Sequence, residues 1–478
     1  MPIVAVLDAN GDGVIDASEI VRAPVLLKKL DKNGDGKLTR EEIMPDRPQG
    51  NGRAASGKSG PGGGGLPGGE GAVGPGGPHA TAYTLSGTYM LAGQKVQTVA
   101  QTYTSGMKDI SAVYVCSGGA LTLIAPKITT TGNTSSEENS SFYGLNAAVL
   151  VAKGSRVTIT GGWVTTSGAG ANGVFATGLG AEACLTQVTI NATGDGGHGA
   201  MASAGGRLIL RDVTITTLGE HGAALATDRG GGTLIASGGI FSTAWQGSPG
   251  IYSTGNIVVS NATFKAMGAE GAVIEGENLI DLTDCTVSAK KLCGVMLYQS
   301  FSGDAEGSTG RFTMRGGSFS AEEGPLFYVT NAKGFITLNG VRASAASSVL
   351  VYAGADRWGV AGSNGGHAVL TAEAETLNGD LICDNISTID ATLKKGTTLT
   401  GALKGASLTL DASSKWYVTG NSVIKGLALS GGISRTTVAN IIGNGREVRY
   451  DASLASNKWL KGKTYALTNG GSLLPVNR

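Results

Sequence analysis

Between residues 121 and 343 the chain repeats one arrangement of apolar side chains nine times, and few folds can accept such a pattern. One column reads Leu121, Val157, Ala183, Leu208, Leu234, Ile257, Ile280, Phe312 and Ile336. A second stands two residues on, from Leu123 and Ile159 through Leu210, Val259 and Leu282 to Met314 and Leu338. A third lies five further on, from Ile128 and Val164 to Phe319 and Ala343. Spacing of two marks a strand that buries one face. Between the second and third columns sits a turn position holding Ala125, Gly161, Gln187, Asp212, Gly238, Asn261, Asp284, Gly316 and Gly340. Small and amide-bearing residues suit a corner between strands. Most rungs recur after 23 to 26 residues, with longer gaps before Val157 and Phe312.

Each repeat also carries a further strand, such as Gly271-Ala-Val-Ile-Glu-Gly276 or Gly294-Val-Met-Leu-Tyr298. No single repeat buries its own apolar face, but three short strands per turn, stacked in register, bury a continuous column. A sandwich of two sheets would not keep three columns aligned over nine repeats. The zone resembles right-handed parallel β-helix proteins of the pectin-lyase-like type over most of residues 85–345. Beyond residue 362 the repeat shortens. There Lys415-Trp-Tyr-Val-Thr-Gly-Asn-Ser422 resembles the late coils of autotransporter passenger adhesins, although no barrel-forming segment follows.

Composition agrees with this division. Glycine fills 79 of 478 positions, more than twice its ordinary share, yet without the three-residue period of collagen. From residue 57 to 78, glycine and proline supply 16 of 22 positions; such a stretch has nothing to bury and reads as a mobile linker. Charged residues make up 15% and apolar residues 41%, enough for a core and too few charges for an extended disordered chain. The 37 basic and 36 acidic residues leave a net charge of +1, which argues against nucleic acid as a partner. No apolar run approaches the length of a membrane span. The five cysteines lack metal-binding or paired spacing and read as small buried side chains.

The N-terminal segment carries a different chemistry. Asp8-Ala-Asn-Gly-Asp-Gly-Val-Ile-Asp-Ala-Ser-Glu19 and Asp31-Lys-Asn-Gly-Asp-Gly-Lys-Leu-Thr-Arg-Glu-Glu42 both place oxygen donors at loop positions 1, 3, 5, 9 and 12, with glycine at position 6. Calcium takes six to eight hard oxygens, and this spacing wraps them around one ion. Asp8, Asn10, Asp12, Asp16, Glu19 and the Val14 carbonyl form the first set. Asp31, Asn33, Asp35, Thr39, Glu42 and the Lys37 carbonyl form the second. The loops resemble a tandem EF-hand pair, which implies two calcium ions. Only 23 residues separate Asp8 from Asp31 and Pro24 interrupts the connection, so structural or buffering calcium is expected rather than the opening of a sensor. The order of elements resembles secreted bacterial EF-hand segments.

The expected fold is therefore mainly β: a right-handed parallel β-helix with three strands per coil, behind a small N-terminal α-helical EF-hand module and a Gly/Pro-rich linker. The expected boundaries are 1–46 for the EF-hand pair, 47–79 for the linker, 80–362 for the β-helix and 363–478 for its shorter-coil continuation and cap. The first residues turn acidic too soon to hold a signal-peptide core. Calcium loops suit a calcium-rich environment, so a mature chain or fragment is expected, extracellular or at a cell surface.

Two places are candidate ligand sites. At one corner, successive rungs place Asn172, His198, His221, Pro249, Glu270 and Cys293, with Pro249 interrupting the column before Glu270 and with Asp195 and Glu220 nearby in sequence. Rungs stack about 4.8 Å apart, so two imidazoles with carboxylates could hold a transition metal or act as acid and base. The ordinary alternative is a stack of solvent-facing turn residues. The second place is the longer connection ahead of Phe312, where Phe301, Asp304 and Glu306 could meet a sugar chain. The segment 353–364, with Asp356, Arg357 and Trp358, reads as a similar loop or as a cap. A lyase would need neighbouring carboxylates around calcium beside a basic residue. Asp212 and Asp284 share one column, but Gly238 and Asn261 separate them. The expectation is a non-catalytic, adhesin-like protein that binds a polysaccharide, a cell-surface glycan or a surface protein. A polysaccharide lyase or hydrolase, and a self-assembling filament subunit, are the alternatives.

Overall fold

The computed structural model describes residues 83–300, 305 and 307–476, together with Ala23, Leu27 and Lys28. The chain divides into two compact units, Met1–Lys58 and Ser59–Arg478. The twelve calcium-loop positions lie outside the described residues, as do Phe301, Asp304 and Glu306.

In the second unit the strands coil around one axis and form three sheets. One coil runs through Gly206–Arg211 in the first sheet, Thr214–Thr217 in the second and Leu225–Thr227 in the third, then re-enters the first at Gly232–Ser237. The first sheet has fourteen strands, from Lys95–Val99 to Leu427–Leu429, and the second has ten, from Thr102–Ser105 to Arg342–Ala345. Neighbouring strands pair in parallel: Leu210 faces Ala236, which faces Val259, which faces Leu282. The columns read from the sequence are thus continuous buried files, and each inward residue shields its neighbours above and below. Phe241 and Phe264 stack within this core at 4.7 Å between ring centres.

All nine corner residues between the first and second sheets adopt positive φ, from 48° at Ala125 to 67° at Gly340. The left-handed conformation turns the chain in two residues, which glycine does without strain and Asn or Asp at modest cost. The second sheet ends at Arg342–Ala345. Past it the coils shorten, and Leu370, Ala391, Leu408 and Leu427 follow each other in register at intervals of 21, 17 and 19 residues.

The third sheet differs from the other two. Its strands Val174–Thr177, Ala200–Ser203, Ala272–Glu275, Val295–Tyr298 and Phe327–Thr330 are buried on both faces. Two segments cover its outer side. The helix Glu137–Tyr143, capped by Ser136 and ended by Gly144, occupies the long gap ahead of Val157; the Arg229 guanidinium lies 3.8 Å from the centre of its Phe142 ring. Further along, residues 353–364 fold back over the sheet. Trp358 packs on Tyr298 at 5.3 Å, and Tyr328 donates to Asp356 at 2.9 Å.

Candidate functional site

The corner that leads into the third sheet holds most of the chain's unusual chemistry. Each coil crosses it with a loop whose amides need acceptors, and side chains of adjacent coils supply them. Asn172 Oδ1 accepts from the His198 amide at 2.9 Å, His198 Nδ1 accepts from the Ala223 amide at 3.0 Å, and Ser248 Oγ accepts from the Gly222 amide at 2.9 Å. This ladder is internal, which corrects the expectation of a solvent-facing stack. Asn172, His198, Glu270 and Cys293 are all buried, because the segments over the third sheet reach across the corner.

His198 and Glu270 line one cavity of about 20 Å³ with Gly247, Pro249, Tyr252 and Trp358. That volume suits a single water. An amide proton directed at Nδ1 requires a lone pair there, so the imidazole is neutral and carries its proton on Nε2. Among the described residues Nε2 has no hydrogen-bond partner. Burial, then the neighbouring His221, lowers the His198 pKa to about 4. Burial raises the Glu270 carboxyl to about 7, against smaller opposing effects of its own amide and of Arg357. Both groups are therefore neutral near pH 6, as burial away from bulk water demands.

Glu275 lies on the same sheet and is buried as well. Tyr252 donates to its Oε2 at 2.5 Å, Tyr298 donates to the same oxygen at 2.9 Å, and the Ser300 hydroxyl bonds to Oε1. Burial, then this carboxylate, pushes the Tyr298 hydroxyl well up. Among the described residues no three His, Cys, Asp or Glu side chains converge as a metal site, at His198, His221 and Glu270 or elsewhere. The five cysteines are free thiols, and burial raises the Cys293 thiol strongly.

On the outer side of the same corner loops the chain presents open chemistry. Trp245 and Leu218 are about half exposed and line a depression with Asp195 and Glu220. On the first sheet, Thr313, Thr337, Thr371, Thr392 and Thr409 stand in one outward register file. Sequence reasoning placed Asp195 and Glu220 near the corner but passed over Trp245, Tyr252 and Glu275. The signal for the latter two was present: third-sheet strands such as Val295–Tyr298 are apolar without alternation, as strands covered on both faces are.

Comparison with known families agrees with this architecture. A family described as right handed beta helix region matches residues 127–309, and one described as EF hand matches residues 5–23 and 25–44. No curated protein matches the chain. The fold is a right-handed parallel β-helix joined to a segment with EF-hand signatures. The donor sets at 8–19 and 31–42 consist of carboxylate, amide, hydroxyl and carbonyl oxygens, which is the chemistry calcium requires.

Proposed function

We propose that this chain is a non-catalytic, calcium-binding β-helix protein of the extracellular or cell-surface type, whose coiled surface binds a polymeric glycan. One observation carries the reading: the outward side chains repeat along the axis at the strand spacing, as in the file from Thr313 to Thr409. A surface with a short regular period presents the same donors and acceptors to successive units of a repeating polymer. The buried corner supports binding over turnover. His198 spends Nδ1 on the Ala223 amide, and the cavity beside it is too small for a sugar. The two EF-hand segments are read as holding two calcium ions through Asp8, Asn10, Asp12, Asp16 and Glu19, and through Asp31, Asn33, Asp35, Thr39 and Glu42, each set completed by the carbonyl of Val14 or Lys37.

The full chain is expected to bind at least one class on a glycan array and to release no products from a polysaccharide panel. Calorimetry is expected to give two calcium ions per chain, with one lost in Glu19→Gln and one in Glu42→Gln. A hydrolase or lyase reading draws on Glu270, whose pKa of about 7 suits an acid or base at neutral pH. Turnover that disappears in Glu270→Gln would establish that reading in place of ours.

A further inference from the structure

The surface at Trp245 has features that the glycan reading alone does not specify. Three apolar side chains stand exposed on consecutive coils of one corner: Leu218 at 50%, Trp245 at 53% and Met267 at 45%. Their coils are held in register, since the Ala244 amide donates to Thr217 O and the Met267 amide to Thr243 O. Ala244 is the residue in file between Leu218 and Met267, and Trp245 stands one position further on, so the three exposed apolar side chains fall as a strip on successive rungs of one corner, where scattered ones would need no explanation. Trp245 is fixed within it. Its Nε1 donates to Glu220 Oε1 at 2.6 Å, and Gln246 Nε2 donates to the same oxygen at 3.1 Å. The indole N–H is thus already satisfied by a protein carboxylate, and what remains for a ligand is the π-face.

Acidic groups flank the strip. Asp195 and Glu220 line the same depression as Leu218 and Trp245, and Asp195 Oδ1 fixes the Glu220 amide at 2.9 Å. Neither carboxylate takes part in an ion pair among the described residues. The nearest basic residues are Lys265, exposed two positions before Met267, and Lys290, which follows Met267 by one coil; both lie on the side of the strip away from Asp195 and Glu220. Lys291, next to Lys290, is paired with Glu323.

We infer that the strip at Leu218, Trp245 and Met267, flanked by Asp195 and Glu220, is a binding site for a glycan that carries amino sugars. The apolar face of a pyranose ring lies on the indole and its neighbours. The ammonium group of a hexosamine is drawn to the two carboxylates and to the face of Trp245, which attracts cations through its quadrupole. A polyuronate meets like charge at the same place and is repelled. The coil spacing is close to the length of one pyranose unit, so consecutive sugars can meet consecutive rungs. This inference rests on the glycan reading above and adds its site and its charge preference.

The test uses the full chain and three soluble probes: a glucosamine hexamer, a glucose hexamer and polygalacturonate, each titrated by calorimetry at low and moderate salt. The glucosamine hexamer is expected to bind at least tenfold more tightly than the glucose hexamer, with an advantage that shrinks as salt rises; polygalacturonate is expected to give no heat. Trp245→Ala, at a half-exposed site that leaves the core intact, should weaken the amino-sugar probe at least tenfold without moving the thermal midpoint. The pair Asp195→Asn with Glu220→Gln keeps an oxygen acceptor for the indole N–H while removing the charge. It should reduce the amino-sugar probe to the level of the neutral one. Binding that is unchanged in Trp245→Ala, or a preference for polygalacturonate, would overturn the inference and leave the glycan reading standing. Silence from all three probes and from a glycan array would overturn both.

Discussion

Two buried side chains at one corner give opposite pH signatures. Glu270 has a pKa of about 7 in the fold against an ordinary 4.5, so folding retains a proton that the unfolded chain releases. Its contribution therefore weakens the fold as pH rises from 4.5, and the loss is complete above 7. His198 has a pKa of about 4 against an ordinary 6.5, so here the unfolded chain takes up the proton. That weakens the fold as pH falls from 6.5 to 4. Between pH 4.5 and 6.5 the two slopes are equal and opposite, and their sum is flat. Relative to the parent chain, Glu270→Gln should leave the histidine slope unopposed, so that the difference between variant and parent rises with pH across this interval by about 1 kcal/mol per unit. His198→Gln, which can still accept from the Ala223 amide, should show the reverse, a fall with rising pH. Urea midpoints measured at intervals from pH 4.5 to 6.5 check this. Parallel profiles for the two variants would show that the groups do not titrate as the cavity demands.

A coil turns at the left-handed corner between the first and second sheets, and the glycines at and just past it do not bear the same load. Gly161 has a φ of 64° and open space where a side chain would begin. Alanine at this position should cost only the left-handed conformation, about 1 kcal/mol. Gly239, one residue past its own corner, has a φ of 98°, and an added Cβ would lie 2.3 Å from the Val213 carbonyl of the preceding coil. There the backbones of adjacent coils must separate. Gly239→Ala should therefore lose several times more stability than Gly161→Ala, read as the difference between their urea midpoints. Equal losses would mean that the coils do not approach so closely. The corners were legible in the sequence because a buried period of two, followed by a small or amide residue, has few other meanings. The files from Leu121 to Ile336 were legible for the same reason. The cover over the third sheet was not. Nothing in Glu137–Tyr143 or in Trp358 announces which distant strand it shields, since that depends on where the winding axis carries each insertion. For the same reason the corner at His198 looked exposed when read one coil at a time, although its neighbours and Trp358 enclose it.

A solenoid has two ends, and each exposes a sheet edge that invites another copy unless it is blocked. At the C-terminal end the block is built from specific side chains. Among the described residues the last strand of the first sheet is Leu427–Leu429. The short helix Ala455–Leu460 lies against this strand and supplies the missing bonds. Asn457 is fully buried; its Oδ1 accepts from the Leu427 amide at 3.0 Å and its Nδ2 donates to Lys425 O at 2.6 Å and to Asp451 O at 2.8 Å. Trp459 Nε1 donates to Leu427 O at 2.9 Å. One amide and one indole thus imitate the next strand, while the antiparallel pair Tyr465–Thr468 and Ser472–Pro475 departs from the parallel pairing of the coils. This cap bears on the filament alternative, because end-to-end growth needs the edge that Asn457 and Trp459 occupy. Asn457→Ala leaves the Leu427 amide without its acceptor, which should cost about 1–3 kcal/mol and promote association. Trp459→Phe keeps an aromatic ring, though a smaller one, and removes one hydrogen bond, so it should act in the same direction more weakly. Light scattering against concentration is expected to show growth in the order Asn457→Ala, Trp459→Phe, parent chain. Growth of the parent chain into filaments, unchanged by either variant, would mean that this end is not what keeps the copies apart.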